Sequence, residues 1–275
     1  MKKIISILLV IMNCVFIFSS EYYFEGIQFV YSADLLFKFN FGELEISKIN
    51  DDGETSIERF PYNLKNEDAY LVVNISNPGK KKKLYVFNAD RKHIILFDTD
   101  SNEVIDATEK KDHIDEPWIY SSNKYTASSC LSENIKNKCV TYYADNLSIQ
   151  NLPLNWVEGV EGFGKGEKLT IDNCINGSRR MYIINGFFSP EKPSVYYSKN
   201  RVKTFLINCY KNGKVVNTVE KEIKDTGTMQ IIEFSERYEK FELIIQDVYY
   251  GEKYNDTALT GVFFDALDCF ENENK

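Results

Sequence analysis

Short alternations of apolar and polar residues run along most of this chain, and they carry the two-residue period of a strand. Leu35-Leu36-Phe37-Lys38-Phe39-Asn40-Phe41 is apolar and aromatic, and Glu43-Leu44-Glu45-Ile46-Ser47 alternates cleanly. That period sends successive side chains to opposite faces of a sheet. Asp51-Asp52-Gly53 supplies turn chemistry before a further extended stretch. Tyr70 to Ile75 then pairs with Leu84 to Phe87 across Asn77-Pro78-Gly79, and Ile94-Ile95-Leu96-Phe97 closes the series. Successive hairpins of this kind predict an antiparallel meander or small barrel over residues 21–106.

From Thr99 to Pro117 the chain turns charged and polar with little periodicity, which predicts a linker, placed at residues 107–120. Strand-like runs then return: Glu167 to Ile171, Met181 to Asn185, Lys203 to Tyr210, Val215 to Ile223, Met229 to Phe234, Phe241 to Val248 and Ala258 to Phe264. No segment of helical period separates them, so residues 121–275 predict a β-sandwich. In Phe241-Glu242-Leu243-Ile244-Ile245-Gln246-Asp247 both faces are partly apolar, as a central strand requires. The fold class is all-β.

Composition supports strands: Tyr (18) and Phe (19) are plentiful. A net charge of −8 argues against a nucleic-acid binder, which needs a basic face. The basic run Lys80 to Lys83 follows Asn77-Pro78-Gly79 and reads as a solvated hairpin tip. At the N-terminus, Lys2 and Lys3 precede an apolar stretch from Ile4 to Phe18 and the exit Ser19-Ser20. This is the layout of a secretory signal peptide over residues 1–20, with export as its consequence. An uncleaved anchor and a lipid on Cys14 stay open beside it, and either would be the chain's only tie to a membrane. Setting Cys14 aside leaves Cys130, Cys139, Cys174, Cys209 and Cys269, an odd number. The short spacing of Cys130 and Cys139 suggests a disulfide in an oxidising compartment. Cys209 alternates with Phe205 and Ile207 and reads as a buried thiol. No pair has C-x-x-C spacing, so no metal site is expected.

A family resemblance begins at Ala127-Ser128-Ser129 and Asn146-Leu147 and continues through Trp156-Val157-Glu158-Gly159-Val160-Glu161-Gly162-Phe163-Gly164-Lys165-Gly166-Glu167. It extends over Ile184-Asn185-Gly186-Phe187, Lys199-Asn200-Arg201-Val202-Lys203 and Asp247 to Thr257. These motifs, in this order, resemble the discoidin-like, galactose-binding jelly-roll domain of NAD glycohydrolase toxins. The resemblance implies a jelly-roll sandwich with a role in glycan binding and translocation. It covers the C-terminal half alone. One departure stands out: where the family carries an acidic residue in its last strand, this chain reads Leu259-Thr260-Gly261-Val262. Nothing here resembles the NAD-cleaving domain, so that activity is not implied.

The residues of these motifs allow two readings each. The glycines between 159 and 166 serve a strand-connecting loop mechanically. A phosphate cradle is disfavoured, because a following helix and a Lys-Ser/Thr ending are missing. Glu158 either caps backbone amides or holds a ligand hydroxyl. Tyr249, Tyr250 and Tyr254 offer flat faces for a pyranose ring, and Lys253, Asn255 and Asp256 offer directional hydrogen bonds, with Asn200 and Arg201 as further donors. The structural alternative makes Tyr249 and Tyr254 core and has Asp256 and Thr257 shape a turn. The candidate ligand set is therefore Glu158, Asn200, Arg201, Tyr249, Lys253, Tyr254 and Asp256. No catalytic set assembles: His93 and His113 have no metal-ligand partner at useful spacing, and no nucleophile elbow or zinc-binding helix motif occurs. The reading is an exported, non-catalytic binding module for a glycan or other cell-surface ligand, without a cofactor. A structural or adhesion protein bound to a protein partner, and an enzyme with a shallow interdomain site, are the alternatives.

Overall fold

A computed structural model describes residues 24–265 apart from 33, 78, 90–91, 111–118, 121–123 and 173–176. Eight strands form a closed antiparallel barrel: β1 (Gln28–Ser32), β2 (Leu35–Asn40), β3 (Glu43–Ile49), β4 (Thr55–Glu67), β5 (Tyr70–Asn77), β6 (Lys80–Ala89), β7 (His93–Asp98) and β8 (Glu103–Glu109). Each strand pairs with its neighbour in sequence, and Phe29 opposite Glu109 and Val30 opposite Thr108 close the ring. Closure removes the exposed sheet edges that an open meander would leave. The predicted hairpin is present, with Leu71 opposite Val86 and Asn77 opposite Lys80. The interior is filled by one face of the alternation, including Phe37, Phe39, Leu44, Val73, Val86 and Leu96.

The stretch after Thr99 departs from the expected linker. Residues 103–109 form β8, whose Ile105 and Ala107 enter the barrel core while Val104 packs on the outer side. Charged Glu103, Asp106 and Glu109 mask this alternation in the sequence. Of the rest of that expected linker, residues 111–118 lie outside the described residues and Ile119–Tyr120 forms a short strand.

Beyond the barrel, two layers make a jelly-roll sandwich. One layer runs β10 (Lys124–Ala127), β14 (Lys168–Asp172), β19 (Lys240–Tyr249), β16 (Asn200–Lys211) and β17 (Lys214–Glu222). The other runs β20 (Thr257–Asp265), β15 (Ser178–Asn185) and β18 (Gln230–Tyr238), with β9 (Ile119–Tyr120) and β13 (Trp156–Val157) added along β20. A short parallel contact, Asn200 with Thr257 and Arg201 with Ala258, joins the layers at one corner. Between them lies a core that includes Trp156, Phe205, Cys209, Phe241, Leu243 and Phe264. A hairpin of β11 (Ser132–Ile135) and β12 (Lys138–Thr141) stands apart as a small sheet.

A third apolar cluster joins barrel to sandwich. Strand β7 is buried at every position because Ile94 and Leu96 face the barrel core while Ile95 and Phe97 face the sandwich. Tyr70, Val72, Tyr85 and Phe87 leave the barrel on the same side and meet Tyr182, Phe188, Tyr196 and Phe263. The Phe188 ring sits between four others, with centroids 5.0–5.4 Å from those of Tyr70, Tyr85, Phe87 and Phe97. At these residues the interdomain surface is a packed aromatic layer, not a shallow cleft. Both buried phenols donate across it: Tyr70 to the Phe187 carbonyl at 3.4 Å and Tyr85 to that of Pro190 at 3.0 Å. Burial pushes the Tyr85 hydroxyl up to about 12, so it remains a proton donor at neutral pH.

Cys130 and Cys139 are separate thiols, contrary to the expected disulfide. The hairpin register explains this. Cys139 lies opposite Asn134, and Leu131 opposite Tyr142, so Cys130 is displaced by four strand positions from Cys139's partner. At a rise of about 3.3 Å per residue that is roughly 13 Å, beyond the ~7 Å limit for a disulfide. Cys209 is buried, as expected, and burial pushes its thiol up to about 12. Cys14, Cys174, Cys269, His113 and the whole expected signal segment lie outside the described residues. Among the described residues no helix is long and apolar enough to cross a membrane.

Candidate functional site at one end of the sandwich

The motif residues converge on the connection from β19 to β20, residues 250–256. This loop is held rigidly from below. The amides of Lys253 and Tyr254 donate to the Ser198 carbonyl at 3.1 and 2.9 Å, and that of Glu252 to the Tyr197 carbonyl at 2.9 Å. Gly251 lies so close to the same segment that a Cβ would sit 2.5 Å from the Lys199 carbonyl carbon. A side chain there is excluded by contact with backbone.

Three of the predicted ligand residues prove to be the supports of this loop. Asn200 is buried, accepts the Gly251 amide through Oδ1 at 2.6 Å, and donates through Nδ2 to the Asn255 carbonyl. Arg201 is buried with four N–H directions engaged: Nε and Nη2 bond Asp225 at 3.0 and 2.7 Å, and Nη1 bonds the Lys199 and Tyr250 carbonyls, each at 3.0 Å. Its guanidinium also lies over the rings of Tyr196 and Tyr197. Glu158 is fully buried and caps two amides, Thr257 at 3.1 Å and Val160 at 2.8 Å. Burial pushes its carboxyl up, and those two amide bonds oppose the shift. Gly164, at φ +68°, leaves room for this carboxylate, since a Cβ there would lie 2.6 Å from Glu158 Cγ. The glycine loop is thus mechanical, and it runs into β14 without any helix.

Tyr249 is half-buried beside the charges of Glu222, Asp225, Lys203 and Arg201, and burial raises its phenol. It follows the core residue Val248, so alternation sends it to the other face of β19. Lys253 and Tyr254 are exposed, and Asp256 is 29% exposed. Their centre is Lys199, which the sequence reading quoted within a motif without assigning it a role. Its side chain is only 8% exposed; Nζ lies 3.1 Å from Asp256 Oδ2, 4.9 Å from the Tyr254 ring centre and 5.7 Å from that of Phe187. Such a cation is held by one carboxylate and two ring faces. No spacing rule connects Lys199 to a carboxylate 57 residues later, so only the fold reveals the pair.

Further aromatic rings are exposed on the same loop and its neighbours. Tyr254 is 49% exposed, and Tyr250 (63%) meets Phe163 (43%) edge to face at 4.9 Å. Phe163 is tied in turn, since Thr257 Oγ1 donates to its carbonyl at 2.6 Å. On the other flank Tyr142 meets Phe187 at 5.8 Å and donates to Glu133 of the hairpin at 2.7 Å. Burial and the Glu133 carboxylate push that phenol up, and Asp256 adds to the shift. In the last strand, where the expected acidic residue is missing, Thr260 is buried. Its buried hydroxyl lies 2.9 Å from the Gly186 carbonyl and accepts the Phe188 amide at 3.1 Å. Among the described residues no group of three or more His, Cys, Asp or Glu is placed to hold a metal ion.

Comparison with known proteins follows this division. No curated protein matches the chain. The NAD-glycohydrolase translocation domain of Streptococcus pyogenes is 27% identical over 38% of this chain and 91% of its own, with a TM-score of 0.29. The family 32 carbohydrate-binding module of Clostridium perfringens NanJ, solved with galactose, is 13% identical over 51% of this chain and 91% of its own, at a TM-score of 0.36. A second C. perfringens family 32 module, solved with GalNAc-β-1,3-galactose, is 12% identical over 52% and 94%, at 0.39. The sequence profile of the NAD glycohydrolase translocation F5/8 type C domain matches residues 119–265, the sandwich from its first strand to its last. Since that match spans more than half of the chain, the protein belongs to the NAD glycohydrolase translocation F5/8 type C domain family.

Proposed function

We propose that the sandwich is a non-catalytic recognition module for carbohydrate, with its binding surface on residues 250–256 and the residues beneath them. One observation carries this reading. The half-exposed Tyr254 ring lies over a sheltered Lys199–Asp256 pair, and Tyr250 of the same loop, packed on Phe163, adds a second exposed aromatic surface, all on a loop whose backbone is already fixed. Flat aromatic faces pack against the C–H faces of a pyranose, and adjacent donor and acceptor groups satisfy its hydroxyls. A fixed loop lowers the ordering cost of binding. Asp256 retains an oxygen beyond its bond to Lys199, and the Lys199 ammonium has three N–H donors to distribute.

A glycan array followed by calorimetry on the intact chain tests the proposal. Dose-dependent binding of at least one glycan, lost on Tyr254→Ala, is the expected result. No binding to any glycan, together with a stable sugar-independent protein complex through this surface, would instead make it a protein-docking module. Export through residues 1–20 belongs to the same proposal, because a surface glycan is met outside the cell. N-terminal sequencing of the secreted protein should begin near Glu21, whereas an intact Met1 or an acylated Cys14 would contradict it.

A further inference from the structure

The family match leaves the N-terminal barrel without a role, yet the barrel holds the floor of the candidate site. The segment from Phe187 to Ser198 lies between the two. On its barrel side, Phe188 and Tyr196 are inserted among rings from β5 to β7, with Tyr196 5.7 Å from Tyr70. Tyr70 and Tyr85 reach across to bond the carbonyls of Phe187 and Pro190. Two backbone bonds add to this seam: the Met229 amide donates to the Phe87 carbonyl at 2.8 Å and that of Gly227 to Ala69 at 3.2 Å. On its other side the same segment presents the Tyr197 and Ser198 carbonyls that accept the amides of Glu252, Lys253 and Tyr254.

We propose that the barrel is a positioning element of the binding site: it clamps the Phe187–Ser198 segment, and through it sets the conformation of the 250–256 loop. Two independent features support this. The barrel contributes a large apolar face that is spent wholly on this contact, with Tyr70, Tyr85, Phe87 and Phe97 at most 1% exposed. The loop's backbone has its anchor in the clamped segment, within two residues of Tyr196. Barrel and sandwich therefore act as one recognition unit. The sandwich by itself carries the fold of the site without its fixed geometry.

Amide hydrogen exchange on the full chain, Tyr85→Ala against wild type, reads this without any ligand. The exchange of Glu252, Lys253 and Tyr254 should accelerate by roughly tenfold, while Leu243 and Ile245 in the middle of β19 remain unchanged. Tyr85→Phe retains the ring and loses only the bond to Pro190; it should accelerate the same three amides by about threefold, and it serves if Tyr85→Ala does not fold. Unchanged exchange at 252–254 in a folded variant, or equal acceleration throughout the sandwich, would overturn the positioning role. A second readout rests on the carbohydrate reading: affinity for an array-identified glycan should weaken alongside the local exchange. If no glycan binds wild type while exchange responds locally, the carbohydrate reading fails and the positioning role stands. If glycan affinity and exchange are both unaltered, the reverse holds.

Discussion

Two groups of aromatic residues in this protein put the same side chains to opposite uses. At the barrel–sandwich seam, Tyr70, Tyr85, Phe87, Phe97 and Phe188 are at most 1% exposed, and the two tyrosine hydroxyls are spent on backbone carbonyls. At the loop end, Phe163, Tyr250 and Tyr254 keep 43–63% of their surface in water, on backbone that is fixed from beneath. Buried rings at the seam contribute stability through area and edge-to-face contact. Exposed rings on a tethered loop contribute almost none, and their persistence in one place fits recognition. The contrast teaches that an aromatic residue's role here follows from what its backbone is tied to, not from its type.

The largest expected effect breaks the seam. Phe188→Ala should destabilise by about 3–5 kcal/mol, since it opens a cavity among four rings. Denaturant unfolding checks this, and a loss under about 1 kcal/mol would mean the two units are only loosely docked. Arg201→Ala comes next, at about 2–4 kcal/mol. It strips Asp225 of its cationic partner, leaving the Tyr196 hydroxyl, and removes the Arg201 donors from the Lys199 and Tyr250 carbonyls, with Asp225's remaining bond and partial exposure moderating the cost. Reduced affinity with unaltered stability would instead assign Arg201 to the ligand.

How far the sequence led can be seen in particular residues. Strand-like runs between turn signals pointed to all seven of the long sandwich strands, although few alternate cleanly: β20 is buried at every position and β17 at none. The signal failed at β8, where Glu103, Asp106 and Glu109, at the ends and middle of the strand, hid a half-apolar run. The unbroken run Ile94-Ile95-Leu96-Phe97 already held a signal of burial on both faces, and the second face turned out to be the seam. In the candidate site, the motifs converge on one loop, but the division of labour within it was not legible. Asn200, Arg201 and Glu158 are polar groups of the kind that bind ligands, yet the fold uses their hydrogen-bonding capacity itself. Lys199 was illegible because its partners come from two distant segments, Asp256 and Tyr254 from the 250–256 loop and Phe187 from just after β15.

Two smaller effects sharpen the comparison at the loop end. Asp256→Asn should weaken glycan affinity by about tenfold, roughly 1.4 kcal/mol, at a comparable cost in stability. It leaves the sheltered Lys199 ammonium without its carboxylate, and calorimetry and thermal unfolding report the two effects separately. The smallest effect is a pH dependence at Glu158. Its carboxyl is raised by burial in the folded state, so the native protein holds the proton more tightly than the unfolded chain. That contribution is fully present below the ordinary carboxylate value of about 4.3 and is lost as pH rises through the higher folded value. The stability advantage of wild type over Glu158→Gln should therefore shrink between about pH 4 and pH 7. An advantage that grows over this range would show that the two amide bonds outweigh desolvation.

The central claim is that the exposed rings of the tethered loop exist for binding. Calorimetric titration of the array-identified glycan into wild type and Tyr254→Ala tests it most directly, with thermal unfolding of both proteins alongside. The account predicts affinity lower by about tenfold or more, with a melting temperature within about 2 °C of wild type. Equal affinity in a folded Tyr254→Ala protein would contradict it and move the recognition surface elsewhere on the sandwich.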